Sequence, residues 1–179
     1  MIQSRKDLKE YLNEDKKVNK INNLWTAIRK PQWRYIRYMR YTEYYTNIKS
    51  GFFAKLLFHY YNYKLSNISI KTGIQIPPNT FGKGLYVPHY GSIVVNSTSR
   101  FGDYCVVQNG VNISDSAGGG NFIYIGTGAK IMRNVKIADY VIIGANAVVT
   151  KDITEEDIVV AGVPAKKISE NGRKNRSVI

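Results

Sequence analysis

Residues 95–149 read VNSTSRFGDYCVVQNGVNISDSAGGGNFIYIGTGAKIMRNVKIADYVIIGANAVV, and one large apolar side chain returns at every sixth position. The series is Val95, Phe101, Val107 and Ile113, a break at Gly119, then Ile125, Ile131, Ile137, Ile143 and Val149. Two positions earlier runs a second series of small or apolar residues: Ile93, Ser99, Cys105, Val111, Ala117, Ile123, Ala129, Val135, Val141 and Ala147. A helix gives a stripe with a period near 3.6 and a half-buried strand gives alternation; a period of six fits neither. It fits a parallel β-helix, in which each hexapeptide forms one side of a triangular coil and about 18 residues complete a turn.

The physics follows from the repeat. Aliphatics eighteen residues apart, such as Val107, Ile125 and Ile143, stack inside the prism at about 4.8 Å, and each contributes about 1.5–3 kcal/mol when buried. Small residues in the second series leave room at tight corners. Gly126 and Gly144, directly after a large residue, are expected to supply turn conformations that a Cβ would oppose. The Gly119 break, within Ser114-Asp-Ser-Ala-Gly-Gly-Gly-Asn121, reads as an adaptable loop extruded from the coil that lines substrate or simply connects. Phosphate binding through its backbone N–H groups is the lesser alternative, because the Lys and Ser/Thr of a phosphate loop are missing.

At 179 residues the chain is long enough for one core and a smaller attached segment, and 44% hydrophobic content is that of a globular protein. A net charge of +13 implies an anionic partner without choosing among nucleic acid, an acidic membrane surface and a phosphate-bearing small molecule. The single cysteine, Cys105, stands at an inward repeat position and reads as buried and apolar. No Cys/His cluster for a metal and no disulfide framework is available. No apolar leader or membrane span is evident, so a cytoplasmic location is the expectation.

Three helices are predicted before the repeats. Ser4 caps the first, which ends near Lys20 to Asn23; Pro31 opens a second, with Trp33, Ile36 and Tyr44 on one face beside the stems of Arg37 and Arg40. Gly51 opens a third, with Phe52, Leu56, Tyr60 and Tyr63 on one side. Residues 1–70 hold 14 basic and 5 acidic residues. Basic and aromatic residues interleaved in this way are read as packing against the β-helix and neighbouring subunits, with peripheral membrane contact as an alternative and nucleic-acid binding the weakest. His59 reads as a packing or surface histidine. The organisation expected is a helical segment over 1–69, the coil over 70–160, and a closing motif with a mobile basic tail over 161–179.

Five stretches carry a resemblance: Gly73-Ile-Gln-Ile-Pro77, Gly82-Lys-Gly-Leu-Tyr-Val-Pro-His89-Tyr-Gly-Ser-Ile-Val-Val95, Ile125-Gly-Thr-Gly-Ala-Lys-Ile131, Ile143-Gly-Ala-Asn-Ala-Val-Val149 and Ala161-Gly-Val-Pro-Ala165. Together they resemble the hexapeptide-repeat acyltransferases, and within them the serine acetyltransferase branch and its relatives encoded with surface-polysaccharide enzymes. The resemblance implies a mainly β fold, a left-handed parallel β-helix with an N-terminal α-helical segment. It also implies a homotrimer, acetyl-CoA as acyl donor in the groove between adjacent coils, and His89 as the base that activates an acceptor hydroxyl. Its closing motif nominates Ala161, Gly162 and Pro164 as lining the donor's arm, with Lys166 and Lys167 as partners for its phosphates, and Gly144 and Ala145 are expected to line the same groove.

Hydroxyls hardly ionise at neutral pH, so direct transfer needs a positioned base with a pKa of about 7, which suits histidine. The family's carboxylates around that histidine are replaced here by Gln75 and Pro88, and its Arg-His pair for serine is not evident. An amide, a backbone carbonyl or a more distant acid such as Asp103 must then orient His89. These departures favour a sugar hydroxyl of surface polysaccharide biosynthesis as acceptor. Serine O-acetylation in cysteine synthesis is the alternative, and a non-catalytic β-helix scaffold the alternative of another class. Serine acetyltransferases can end in an isoleucine that engages cysteine synthase; this chain ends in Ile179, with nothing specific before it. The register itself makes a prediction: Ile137→Asp puts a charge into a dry stack and unfolds the coil, so recovery of a soluble variant with wild-type circular dichroism would refute it.

Overall fold

In the computed structural model, which describes residues 1–48 and 51–175, Ser4 starts the first helix as its sequence predicts. Its Oγ accepts from the Asp7 N–H at 3.1 Å while the Asp7 carboxylate receives the Ser4 N–H at 3.0 Å, a reciprocal cap. Helix α1 (Arg5–Val18) is followed by a short helix that the sequence reading did not anticipate, α2 (Leu24–Arg29), capped by Asn23. Helix α3 (Pro31–Ile48) opens on proline, whose missing N–H costs nothing in a first turn. Helix α4 (Gly51–Thr72) runs longer than the predicted aromatic segment and stops at Gly73, which takes a left-handed φ of +69°.

Short strands follow: β1 (Ile74–Gln75), β2 (Ile93–Val95), β3 (Arg100–Phe101), β4 (Val106–Val107), β5 (Asn112–Ile113), β6 (Gly118–Gly119), β7 (Tyr124–Ile125), β8 (Lys130–Ile131), β9 (Lys136–Ile137), β10 (Ile142–Ile143), β11 (Val148–Val149), β12 (Val159–Ala161) and β13 (Lys166–Ser169). They form three faces: β1-β2-β5-β8-β11, β3-β6-β9, and β4-β7-β10-β12 with β13 added at its end. All pairs are parallel except β12 with β13. Partners lie eighteen positions apart through the middle turns, as in Val94↔Asn112 and Val106↔Tyr124. The architecture is the expected parallel β-helix preceded by helices, and both predicted inward series are buried along their length apart from a half-buried Gly119.

Two expectations about glycine change. Residues 114–121 are not an extruded loop: Gly118–Gly119 is strand β6, paired with β3 and β9. A Cβ on Gly119 would lie 2.4 Å from Ile123 Cδ1 and 3.0 Å from Phe101 Cδ1, so neighbouring side chains fill the space its own side chain leaves. The Gly118 and Gly120 N–H groups donate to Val135 O and Ile137 O, which leaves neither for a phosphate. Gly126 and Gly144 do not adopt left-handed turns; they are required because the next coil comes close, with Ile143 O 2.6 Å from a Cβ on Gly126 and the Ala161 Cβ 2.9 Å from one on Gly144. The left-handed corners fall instead at Asn79, Ser116 and Asn134 on one edge, at Tyr104, Phe122 and Tyr140 on the next, and at Gly110, Gly128 and Asn146 on the third. Such a conformation costs a non-glycine residue about 1–2 kcal/mol. Tyr104, Phe122 and Tyr140 offset part of that by stacking with centroids 5.0 Å apart, each pair contributing about 0.5–1.5 kcal/mol.

The C-terminal stretch expected to be mobile folds back along the coil as far as it is described. Gly172 and Arg173 are buried; the Arg173 N–H donates to Tyr140 O and its guanidinium to Tyr104 O and Ile123 O. Ile179 lies outside the described residues.

A buried cation is one of the contacts that fasten the helices to the first coil. Arg40, with no exposed surface, donates to Asp15 of α1 at 2.8 Å, to Glu43 at 3.1 Å, and to the carbonyls of Phe81 and Gly82. Asp15 in turn accepts from Leu85 N, and Glu43 from Ile2 N. Burial works against the Arg40 charge, but the Asp15 and Glu43 carboxylates outweigh it and hold the guanidinium above its ordinary pKa. Around it, Trp33, Tyr35, Ile36, Met39, Leu65 and Ile68 join the same apolar core as Ile74, Ile76 and Leu85. Arg40→Met leaves two buried carboxylates unpaired and should cost about 3–5 kcal/mol of stability. Urea unfolding checks this; a loss below about 1 kcal/mol would contradict it.

Candidate functional site

The corner carrying His89 departs from the repeat. Phe81, Val87 and Ile93 keep the six-residue beat as buried residues, but strand pairing slips between Tyr86↔Val106 and Val94↔Asn112. The chain from the third face to the first is therefore two residues longer here than at the later corners of that edge. The extra length throws His89 and Tyr90 clear of the coil, and both are exposed. The bulge is held from both ends: Gln32 Nε2 of α3 donates to Pro88 O at 3.0 Å, and Gly91 N donates to Thr72 O, the last residue of α4, at 2.8 Å. The helical segment thus fixes the backbone on either side of His89.

The small residues nominated with His89 line the same edge further along, while Lys166 and Lys167 lie in β13. Gly144 and Ala145 form that edge's corner after β10, and Ala161, the last residue of β12, leads into the closing corner with Gly162 and Pro164. Gly162 O accepts from Val148 N, and Ala165 N donates to Val148 O, which ties that corner to the first face. His89 and Gly144 sit three coil steps apart, roughly 14 Å at about 4.8 Å per step. Between them the edge carries Asn109, Gly110, Thr127 and Gly128, joined by bonds from Gly128 N to Asn109 O and from Asn146 N to Thr127 O. It is a narrow, small-residue edge with an imidazole at one end.

The two lysines differ. Lys167 is paired with Glu155 and, at 2.8 Å, with Glu170, and its hydrogen bond to Glu155 raises its pKa. Lys166 is exposed and makes no ion pair among the described residues. Asp103, considered as a partner for His89, lies on a different edge, where its Oδ1 accepts from Lys83 N. Among the described residues the His89 ring makes no hydrogen bond. The residue that sequence reasoning missed is Gln32: its amide holds Pro88, its Oε1 is buried without a partner, and nothing in its sequence context marks it.

The molecule is thus a parallel β-helix built on hexapeptides that carries an exposed histidine on a small-residue edge. The family model described as bacterial transferase hexapeptide (six repeats) matches residues 120–151, and with it the coil is the expected left-handed one. No curated protein matches the chain. Among solved structures, the serine acetyltransferase from Brucella abortus strain S19 is 22% identical, with a TM-score of 0.72 over 93% of this chain and 70% of that one. A serine acetyltransferase in complex with CoA is 25% identical, with a TM-score of 0.75 over 93% and 71%. The soybean serine acetyltransferase apoenzyme is 18% identical, with a TM-score of 0.71 over 91% and 69%. The expected resemblance to the hexapeptide-repeat acyltransferases, in their serine acetyltransferase-like branch, is borne out.

Cys105 is fully buried, and burial pushes its thiol up to about 12. It should stay silent towards a disulfide reagent at about pH 8 in the native protein and react on unfolding; prompt reaction in the folded state would contradict its inward placement.

Proposed function

We propose that this chain is an acetyl-CoA-dependent O-acetyltransferase in which His89 acts as the general base. The observation that carries the reading is the edge shared by His89 and the small-residue corners at Gly144, Ala145 and Gly162. Those corners present backbone and methyl groups as the surface for a narrow arm to lie against. A single edge is convex, so a groove along it needs a second β-helix beside it; three flat faces suit a homotrimer with three such grooves.

Acetyl-CoA supplies an acetyl group as a thioester. His89 takes the proton from the acceptor hydroxyl as its oxygen bonds to the thioester carbonyl carbon, and returns that proton to the departing sulfur once the carbon–sulfur bond breaks. Gln32 and Thr72 hold the backbone from which the imidazole projects. Lys166 is the cation assigned to the donor's phosphates.

Serine is the acceptor favoured first: the structural likeness takes in the helical segment as well as the coil, and it is to serine acetyltransferases. A sugar hydroxyl is the second reading, supported by one feature. No acidic residue occurs between Glu43 and Asp103, so the His89 corner brings no carboxylate of its own for an amino acid's ammonium group.

Release of CoA thiol from acetyl-CoA, with L-serine and with a panel of sugars, tests the proposal on wild type and His89→Ala. The variant should lose about 10²–10⁴-fold in kcat/KM. Turnover with serine supports the first acceptor and turnover only with a sugar the second. Turnover untouched by the substitution removes His89 as base, and none with any acceptor counts for a scaffold.

A further inference from the structure

Helix α4 turns two stripes in opposite directions. Phe58, Tyr61, Leu65 and Ile68 face α3, where Tyr61 stacks on Tyr41 at 4.5 Å. The other stripe, Phe52, Phe53, Leu56, Tyr60, Tyr63 and Ile70, faces solvent, with Phe52 at 77% and Ile70 at 84% exposure. This is the side on which the sequence reading grouped Phe52, Leu56, Tyr60 and Tyr63, and it is not the packed one. Lys64 and Lys71 stand beside these residues and Lys55 flanks the stripe on the side of Tyr45 and Thr46 of α3, and Lys64 Nζ lies 5.5 Å from the Tyr60 ring centroid. Next to this helix, Arg37 of α3 sits over Tyr38, whose ring meets Tyr61.

We propose that this face of α4 docks on an anionic lipid surface, lying in the headgroup region with its apolar stripe inserted and its lysines against lipid phosphates. Charge favours a bilayer over an α4–α4 pairing. α4 carries no acidic residue, so pairing it with the α4 of a second copy would set lysine against lysine with no carboxylate to compensate. An anionic bilayer satisfies both stripe and charge, and phenylalanine and tyrosine suit the interface between headgroup and acyl chain. At 22 residues the helix is about 33 Å long, and no helix among the described residues is long and apolar enough to cross a membrane, which makes the contact peripheral.

Co-sedimentation of the full chain with vesicles of phosphatidylcholine alone, and of phosphatidylcholine mixed with phosphatidylglycerol, tests this at about 0.1 M salt. Wild type should bind only the anionic vesicles. Leu56→Glu and the double change Lys55→Glu, Lys64→Glu should each weaken binding about tenfold while leaving the thermal melt and the sedimentation coefficient unchanged, since the residues altered are not part of the core. Failure to bind, equal binding to both vesicle types, or binding unmoved by either variant overturns the proposal. So does a Leu56→Glu variant whose sedimentation coefficient falls, which would assign the face to a second copy.

Discussion

The buried Arg40 guanidinium is the contact on which the rest of this molecule depends. Its donors reach two carboxylates on α1 and α3 and two carbonyls of the first coil. A charge with no exposed surface is tolerable only when its donors are matched in this way. Through Asp15 to Leu85 and through Glu43 to Ile2, the same network fixes the first turn and the N-terminus. With the helices held against the first coil, the start of α3 and the end of α4 meet the bulge that presents His89. The site therefore belongs to the junction of helices and coil, not to the coil alone.

Beyond that junction the coil is governed by size matching. Phe81 and Phe101 stack at 5.0 Å within the second face, and the glycine one turn further on absorbs their bulk together with that of Ile123. Ile137 and Ile153 continue the column. The break in the hexapeptide series is a packing solution, and the edge used by the proposed chemistry runs undisturbed beside it.

Strand positions were legible because a period of six forces the same side chain inward at every turn, so burial and sequence report the same constraint. Corner conformations were less so: Tyr104, Phe122 and Tyr140 look unsuited to left-handed backbone until their stacking is seen. Gly119 shows a missing side chain but not the neighbours that fill its place. Arg40 reads as one cation on a mixed helical face because Asp15, which completes it, stands on another helix. The two stripes of α4 are both aromatic, and only the position of α3 decides which is buried. At the candidate site, His89 and the closing motif are nominated by a resemblance of spacing, whereas Gln32 is seen only in the fold, where α3 meets the first corner.

In the proposed function, His89 and the small-residue corners work as one edge along which the acyl donor lies. A crystal structure of the protein with CoA tests it most directly. CoA is expected along the edge that joins the third face to the first, its arm against Gly144, Ala145 and Gly162 and its sulfur at the His89 end. CoA bound on another edge, or with its sulfur pointing away from His89, would contradict it.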